Sequence, residues 1–166
     1  MPDIRKLAAR VQLVIFDVDG VFTDGHLYYG VDGEELKVFH VRDGHGIKSL
    51  LQQGVQVAVI SGRSSMAVTR RMQELGVQHV FQGDDDKLPI FGKLLKKLGL
   101  SAEQTACVGD DLADLPLMQA AGTAIAVADA QPEVRAQADW CTQTAGGDGA
   151  VREVCDLILA ARNANG

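Results

Sequence analysis

Short runs of aliphatic and β-branched residues punctuate the chain, with amphipathic segments between them. Five runs predict strands: residues 11–18 (VQLVIFDV), 55–61 (VQVAVIS), 79–83 (HVFQG), 105–110 (TACVGD) and 123–128 (TAIAVA). They are apolar almost throughout rather than alternating, as suits strands covered on both faces of a parallel sheet. Four segments between them predict helices. Residues 43–54 (DGHGIKSLLQQG) carry Asp43 as a possible N-cap and Gly54 as a stop, and residues 64–76 (SSMAVTRRMQELG) show the same signals. Residues 87–99 (KLPIFGKLLKKLG) and 113–122 (ADLPLMQAAG) complete the set. Strand–helix alternation of this kind predicts an α/β fold with a doubly wound, Rossmann-like parallel sheet and right-handed crossovers. Ligands of such sheets bind at the carboxyl ends of the strands.

One segment breaks the alternation. Residues 26–40 (HLYYGVDGEELKVFH) read as two strands about an Asp32-Gly33 turn, a hairpin inserted directly after the first strand. A lone hairpin is only marginally stable, so Tyr28 and Tyr29 are expected to be buried against another subunit, with contact to a substrate as the alternative. With 166 residues the chain fits a single domain, 1–166, with fraying expected at 162–166.

Charge and cysteine content narrow the classes. The net charge of −6 excludes a general nucleic-acid binder, which needs a basic face, but not an anionic substrate met by a local basic cluster. Cys107, Cys141 and Cys155 form no zinc pattern and read as reduced thiols in a reducing compartment. The apolar run after the basic N-terminus is shorter than a signal-peptide core and ends in aspartate, and no stretch approaches the length of a membrane span. A cytoplasmic protein without membrane partners is expected.

The candidate chemistry lies where the strands end. The first apolar run leads into Asp17 and Asp19, with Asp24 soon after; Ser61 and Gly62 end the second run; Lys87 follows three acids; Asp110, Asp111 and Asp114 follow the fourth. A parallel sheet brings these groups to one rim. Acids gathered there repel unless a cation joins them, and an all-oxygen donor set favours a hard cation, Mg²⁺. A hydroxyl and an ammonium beside such a cation can hold a phosphoryl group. One aspartate can then attack phosphorus, and a second can protonate the leaving oxygen and later activate water. Taken singly the residues have plainer uses: Asp17 and Asp19 can form an Asx turn, Asp110 can cap a helix, Lys87 can pair with its neighbouring acids, and Arg71 can sit on a solvated helix face.

Taken together, DVDGVFTDG, ISGR, the lysine of DDDK and GDDLADLPLM resemble the four ordered motifs of the haloacid dehalogenase superfamily of phosphohydrolases. The resemblance implies Asp17 as nucleophile, Asp19 as general acid/base, and Mg²⁺ on Asp17, the backbone carbonyl of Asp19, and Asp110. It implies a phosphate held by Ser61, Gly62 and Lys87, with Asp111 and Asp114 supporting the metal site from behind. DGVFTDG, a hairpin, then FHVRDGHGIK resemble more closely the 3-deoxy-D-manno-octulosonate 8-phosphate phosphatase family, which serves lipopolysaccharide inner-core synthesis. That closer likeness implies no separate cap domain and a homotetramer whose subunits help close each other's sites. It also implies sugar contacts from Asp19, His40, Val41, Arg42, Asp43, Gly44, Lys48, Arg63, Arg71 and Lys87. The glycine-rich stretch at 144–153 (TAGGDGAVRE) resembles the family's tail, although Gly146 and Gly147 could equally be a flexible linker. A nonulosonate 9-phosphate phosphatase, a phosphotransferase or mutase, and a non-catalytic oligomerisation module are the competing functions.

Overall fold

All five apolar runs become strands of one parallel sheet in the computed structural model, which describes residues 3–164. Helix α1 (Ile4–Arg10) leads in, capped by Asp3, whose side chain accepts from the Arg5 N–H. Then come β1 (Leu13–Phe16), the hairpin strands β2 (Tyr28–Tyr29) and β3 (Glu35–Leu36), α2 (Val41–Gln52), β4 (Gln56–Ser61), α3 (Met66–Leu75), β5 (His79–Gln82), α4 (Lys87–Leu98), β6 (Thr105–Gly109), α5 (Leu115–Ala120), β7 (Thr123–Ala126), α6 (Pro132–Gln137), β8 (Trp140–Cys141) and α7 (Ala150–Ala164). The six sheet strands run in the order β5-β4-β1-β6-β7-β8, all neighbours parallel. Helix contacts fall into two groups, α1, α2, α3 and α7 in one and α4, α5 and α6 in the other. Successive connections move outward on either side of β1 and β6, so the topological switch lies between these two strands.

Burial explains the order. β1, β6 and β7 are buried at every position, and one contiguous apolar cluster runs through them into α2, α4 and α7. Removing that surface from water is the main stabilising term for the sheet. β1 sits centrally, with Phe16 level with Val59 of β4 and Val108 of β6. The carboxyl ends of these strands, Asp17 after β1, Ser61 ending β4 and Asp110 after β6, therefore come to the same rim.

Several boundaries differ from the sequence pattern. The α2 cap is His40, whose Nδ1 accepts from the Arg42 N–H at 3.1 Å, rather than Asp43. Asp43 is instead buried in the first turn, where its Oδ1 accepts from the Arg152 N–H at 2.9 Å and ties α2 to α7. The segment 113–122 splits into a 3₁₀ turn (Leu112–Asp114) and α5, because Asp114 folds back to accept from the backbone of Asp110 and Asp111. The hairpin forms about Gly33, at φ +80°, but only two residues pair on each side. Helix α1, the short edge strand β8 and α6 were not foreseen. Helix α7 runs to Ala164, with Arg162 donating to the Val11 carbonyl at 2.8 Å; of the tail expected to fray, residues 165 and 166 lie outside the described residues. Among the described residues there is no separate cap domain, and no helix is long and apolar enough to cross a membrane.

Candidate active site

The rim at the switch point carries the predicted carboxylates. Asp17 follows β1 directly, and its N–H donates to the Val108 carbonyl, which extends the β1–β6 ladder by one rung. The loop beyond it is pinned by Thr23, whose hydroxyl accepts from Gly20 and Gly25 N–H groups at 3.3 and 3.2 Å. Gly20 has φ +88°, and a Cβ there would lie 1.9 Å from Asp110 Oδ2. Only glycine permits that approach.

Lys87, at the first position of α4, is buried and lies between two carboxylates. Its Nζ is 3.0 Å from Asp17 Oδ1 and 2.7 Å from Asp114 Oδ1. These neighbours hold the ammonium well above the usual lysine range, outweighing its burial, so it stays charged. Both oxygens of Asp114 are engaged, Oδ1 by Lys87 and Oδ2 by the N–H groups of Asp110 and Asp111 at 3.0 and 3.3 Å. Asp111 caps the following turn through the Leu112 N–H at 2.7 Å.

Asp17 and Asp110 face each other, and Lys87 offsets only part of the cost at Asp17. Burial is the largest cause raising both carboxyls above the ordinary range. Asp114 adds to the rise at Asp17, and Asp17 to the rise at Asp110. Asp110 Oδ1 is buried with no hydrogen-bond partner. Asp17, Asp110 and Asp114 each offer an oxygen within 4.8 Å of the others. An unpartnered buried oxygen, repelling acids at a half-buried rim and an all-oxygen donor set fit a hard divalent cation. Both oxygens of Asp114 are committed to Lys87 and to backbone, whereas Asp17 gives only Oδ1 to Lys87 and Asp110 Oδ1 has no partner, so the available donors are Asp17 and Asp110.

A cleft of about 250 Å³ opens over this rim. It gathers Asp17, Asp19, Ser61, Gly62, Arg63, Lys87, Asp110, Asp111 and Asp114 from the expected set, and adds Asp85 and Ala113. A Cβ on Gly62 would lie 2.1 Å from Asp85 Oδ1, so a larger residue there would push the exposed Asp85 carboxylate aside. A larger concavity of about 510 Å³ between α1 and α7 lacks any comparable convergence of acids.

The remaining expected sugar contacts do not line the cleft. His40, Val41, Asp43 and Gly44 belong to the start of α2, and Lys48 is exposed further along it. Arg42 lines a separate hollow with Asp148 and Arg152. Arg71 lies across Gly44, where a Cβ would stand 2.4 Å from its Nη2, and pairs with Glu74 at 3.3 Å. The glycine-rich stretch packs as a brace against the Asp17–Asp19 loop: Gly147 donates to the Val21 carbonyl at 3.1 Å, and a Cβ on Gly146 would lie 1.7 Å from the Gly20 carbonyl oxygen.

The hairpin supplies groups that the sequence reasoning missed. Lys37 Nζ lies 2.6 Å from Asp19 Oδ1 and 2.6 Å from Glu35 Oε1, and Glu35 Oε2 is 3.1 Å from Arg63 Nη2. The signal available was period-two alternation, which puts Glu35 and Lys37 on one face and Leu36 and Val38 on the other.

Comparison with known proteins agrees with this geometry. Residues 79–154 match the family model of the haloacid dehalogenase-like hydrolases. The chain is 49% identical over 160 residues to 3-deoxy-D-manno-octulosonate 8-phosphate phosphatase KdsC of Escherichia coli K12, covering 96% of this chain and 85% of that one. Among solved structures, that of the phosphatase from Yersinia pestis superimposes with a TM-score of 0.95 at 48% identity, covering 96% of this chain and 86% of that one. The structure of the Moraxella catarrhalis phosphatase in complex with magnesium, phosphate and KDO gives 0.94 at 46% identity, with 96% and 92% covered. The chain belongs to the 3-deoxy-D-manno-octulosonate 8-phosphate phosphatase family of haloacid dehalogenase-like hydrolases.

Proposed function

We propose that this chain is a Mg²⁺-dependent phosphomonoesterase that hydrolyses 3-deoxy-D-manno-octulosonate 8-phosphate in lipopolysaccharide inner-core synthesis. The observation that carries the chemistry is the half-buried pair Asp17 and Asp110, with its unpartnered Asp110 oxygen, beside a charged Lys87. The substrate follows from the relatives, one of which is described with magnesium, phosphate and KDO bound.

Asp17 and Asp110, with the backbone carbonyl of Asp19, would hold Mg²⁺, which supplies Lewis-acid neutralisation of phosphoryl charge. Asp17 bonds to phosphorus while the ester oxygen departs with its electron pair, and Asp19 gives that oxygen a proton. Asp19 then takes a proton from water as the water oxygen attacks phosphorus, and the Asp17 carboxylate leaves. Ser61, the Gly62 backbone and Lys87 orient the phosphoryl group, and Lys87 stabilises its developing charge. Asp114 holds Lys87 and the Asp110 backbone in place; Asp111 shapes the adjoining turn.

Arg63 reaches the cleft from its own chain, and its planar fork suits the substrate's carboxylate. His40, Val41, Arg42, Lys48 and Arg71 lie outside the cleft lining, which supports their use toward a neighbouring subunit's site in a homotetramer; Asp43 and Gly44 are buried and serve the packing of α2 instead. The exposed apolar hairpin, with Tyr29 at 62% and Val38 at 64%, supports the same assembly. The three cysteines are free, as in a reducing compartment, and we place the enzyme in the cytoplasm.

The test is phosphate release with Mg²⁺ from the octulosonate 8-phosphate, a nonulosonate 9-phosphate and a hexose phosphate. The reading expects kcat/KM to favour the first by ~100-fold, about 2.7 kcal/mol of transition-state discrimination. Equal rates on all three would remove the substrate assignment, and no release from any would remove the phosphatase.

A further inference from the structure

We propose that Lys37, directly after the second strand of the hairpin, is the positioning residue for Asp19, an inference that rests on Asp19 being the proton donor of the proposed reaction. The residue stands out by its burial. Leu36 and Val38 on either side are 54% and 64% exposed, whereas the Lys37 side chain is 2% exposed. A hairpin strand that turns its apolar residues outward and its lysine inward is oriented by charge. The ammonium meets Asp19 Oδ1 at 2.6 Å and Glu35 Oε1 at the same distance. Glu35 is anchored from its other oxygen by Arg63, 3.1 Å away, and Arg63 in turn has its Nη2 3.4 Å from the Tyr29 hydroxyl.

The chain Asp19–Lys37–Glu35–Arg63 thus crosses from the catalytic loop to the hairpin and back to the end of β4. Its effect is geometric. With Oδ1 held by Lys37, the Asp19 carboxyl has one orientation, and Oδ2, 4.0 Å from Arg63 Nε of the cleft lining, is the oxygen left for the ester. Proton transfer needs that oxygen within hydrogen-bond reach of the leaving group. A carboxyl free to rotate would spend most of its time elsewhere. Lys37 itself touches neither phosphorus nor metal; it acts through Asp19.

The leaving group provides the experiment. An alkyl phosphate needs its departing oxygen protonated, whereas 4-nitrophenyl phosphate releases a phenolate that does not. Lys37→Met and Lys37→Arg are compared with the parent enzyme, with Mg²⁺, on the octulosonate 8-phosphate and on 4-nitrophenyl phosphate. Lys37→Met should lower kcat/KM for the sugar ester by about 100-fold, mostly in kcat, and for the aryl ester by less than about 5-fold. Lys37→Arg, which keeps the cation, should recover most of the sugar-ester rate. An equal fall on both esters, the signature of a hairpin that has lost its structure, would overturn the proposal, as would an undiminished sugar-ester rate in Lys37→Met. If the octulosonate assignment fails, the comparison runs unchanged on whichever alkyl phosphate the parent enzyme accepts, so the two ideas fail separately.

Discussion

Asp43 offers a quantitative test of the packing between α2 and α7. Its side chain is buried; Oδ1 accepts from the Arg152 N–H, while Oδ2 is buried without a partner. Desolvation pushes its carboxyl from the ordinary 3.8 to about 6, against the opposing pull of the Arg152 N–H and of His40 and Arg71. The folded state therefore binds the proton more tightly than the unfolded chain. The stability this contributes is fully present below pH ~4 and is lost as pH rises through about 6. At about 1.4 kcal/mol for each tenfold change in proton affinity, the loss across that window is about 3 kcal/mol. Asp43→Asn keeps the acceptor for Arg152 and has no charge to desolvate. Other titrating groups act alike in both proteins, so they cancel in the comparison. Urea unfolding of the two, with chelator and at fixed protein concentration, is measured from pH ~4 to pH ~8. The parent should lose about 3 kcal/mol more than Asp43→Asn over this range, with the difference developing between pH ~4 and ~6. Parallel stability–pH curves would refute the burial argument, and a difference of opposite sign would mean that Asp43 is held ionised by its neighbours.

Lys87→Met leaves Asp17 and Asp114 facing one another unpaired, and should destabilise the metal-free protein by about 3 kcal/mol or more in urea unfolding, besides abolishing turnover. Gly146→Ala forces a Cβ against the Gly20 carbonyl and should cost about 1–3 kcal/mol, read as a lower Tm together with weaker phosphate release. Light scattering should show about four subunits, and Asp17→Asn subunits refolded together with Arg71→Ala subunits should regain activity that neither has alone. A stable, fully active monomer would end the shared-site reading.

The apolar runs made five of the six sheet strands legible, most clearly β1, β4, β6 and β7, since a strand buried on both faces has few sequences open to it. The same placement made the rim legible, because parallel strands share one carboxyl end. β8 was hidden because Trp140–Cys141 is two residues long and only half-buried, too short to show a period. In α1, α7 shields the helix from behind and Ala8 is the only residue fully buried, so little pattern marks it. Asp114 read as one acid among three; its two-sided grip on Lys87 and the Asp110–Asp111 backbone depends on a turn that the 113–122 pattern smoothed over. Lys37 was missed for a related reason. Its partner Asp19 lies 18 residues away, and only the folded hairpin brings them together.

The central claim is that Asp17 attacks phosphorus. Enzyme mixed with substrate and Mg²⁺, quenched in acid within the first turnover and reduced with borohydride, should yield homoserine at position 17, the product of a reduced acyl phosphate. Asp17→Asn should give neither the reduced residue nor turnover. A reduced product at another carboxylate, or steady turnover by pure Asp17→Asn, would contradict the account.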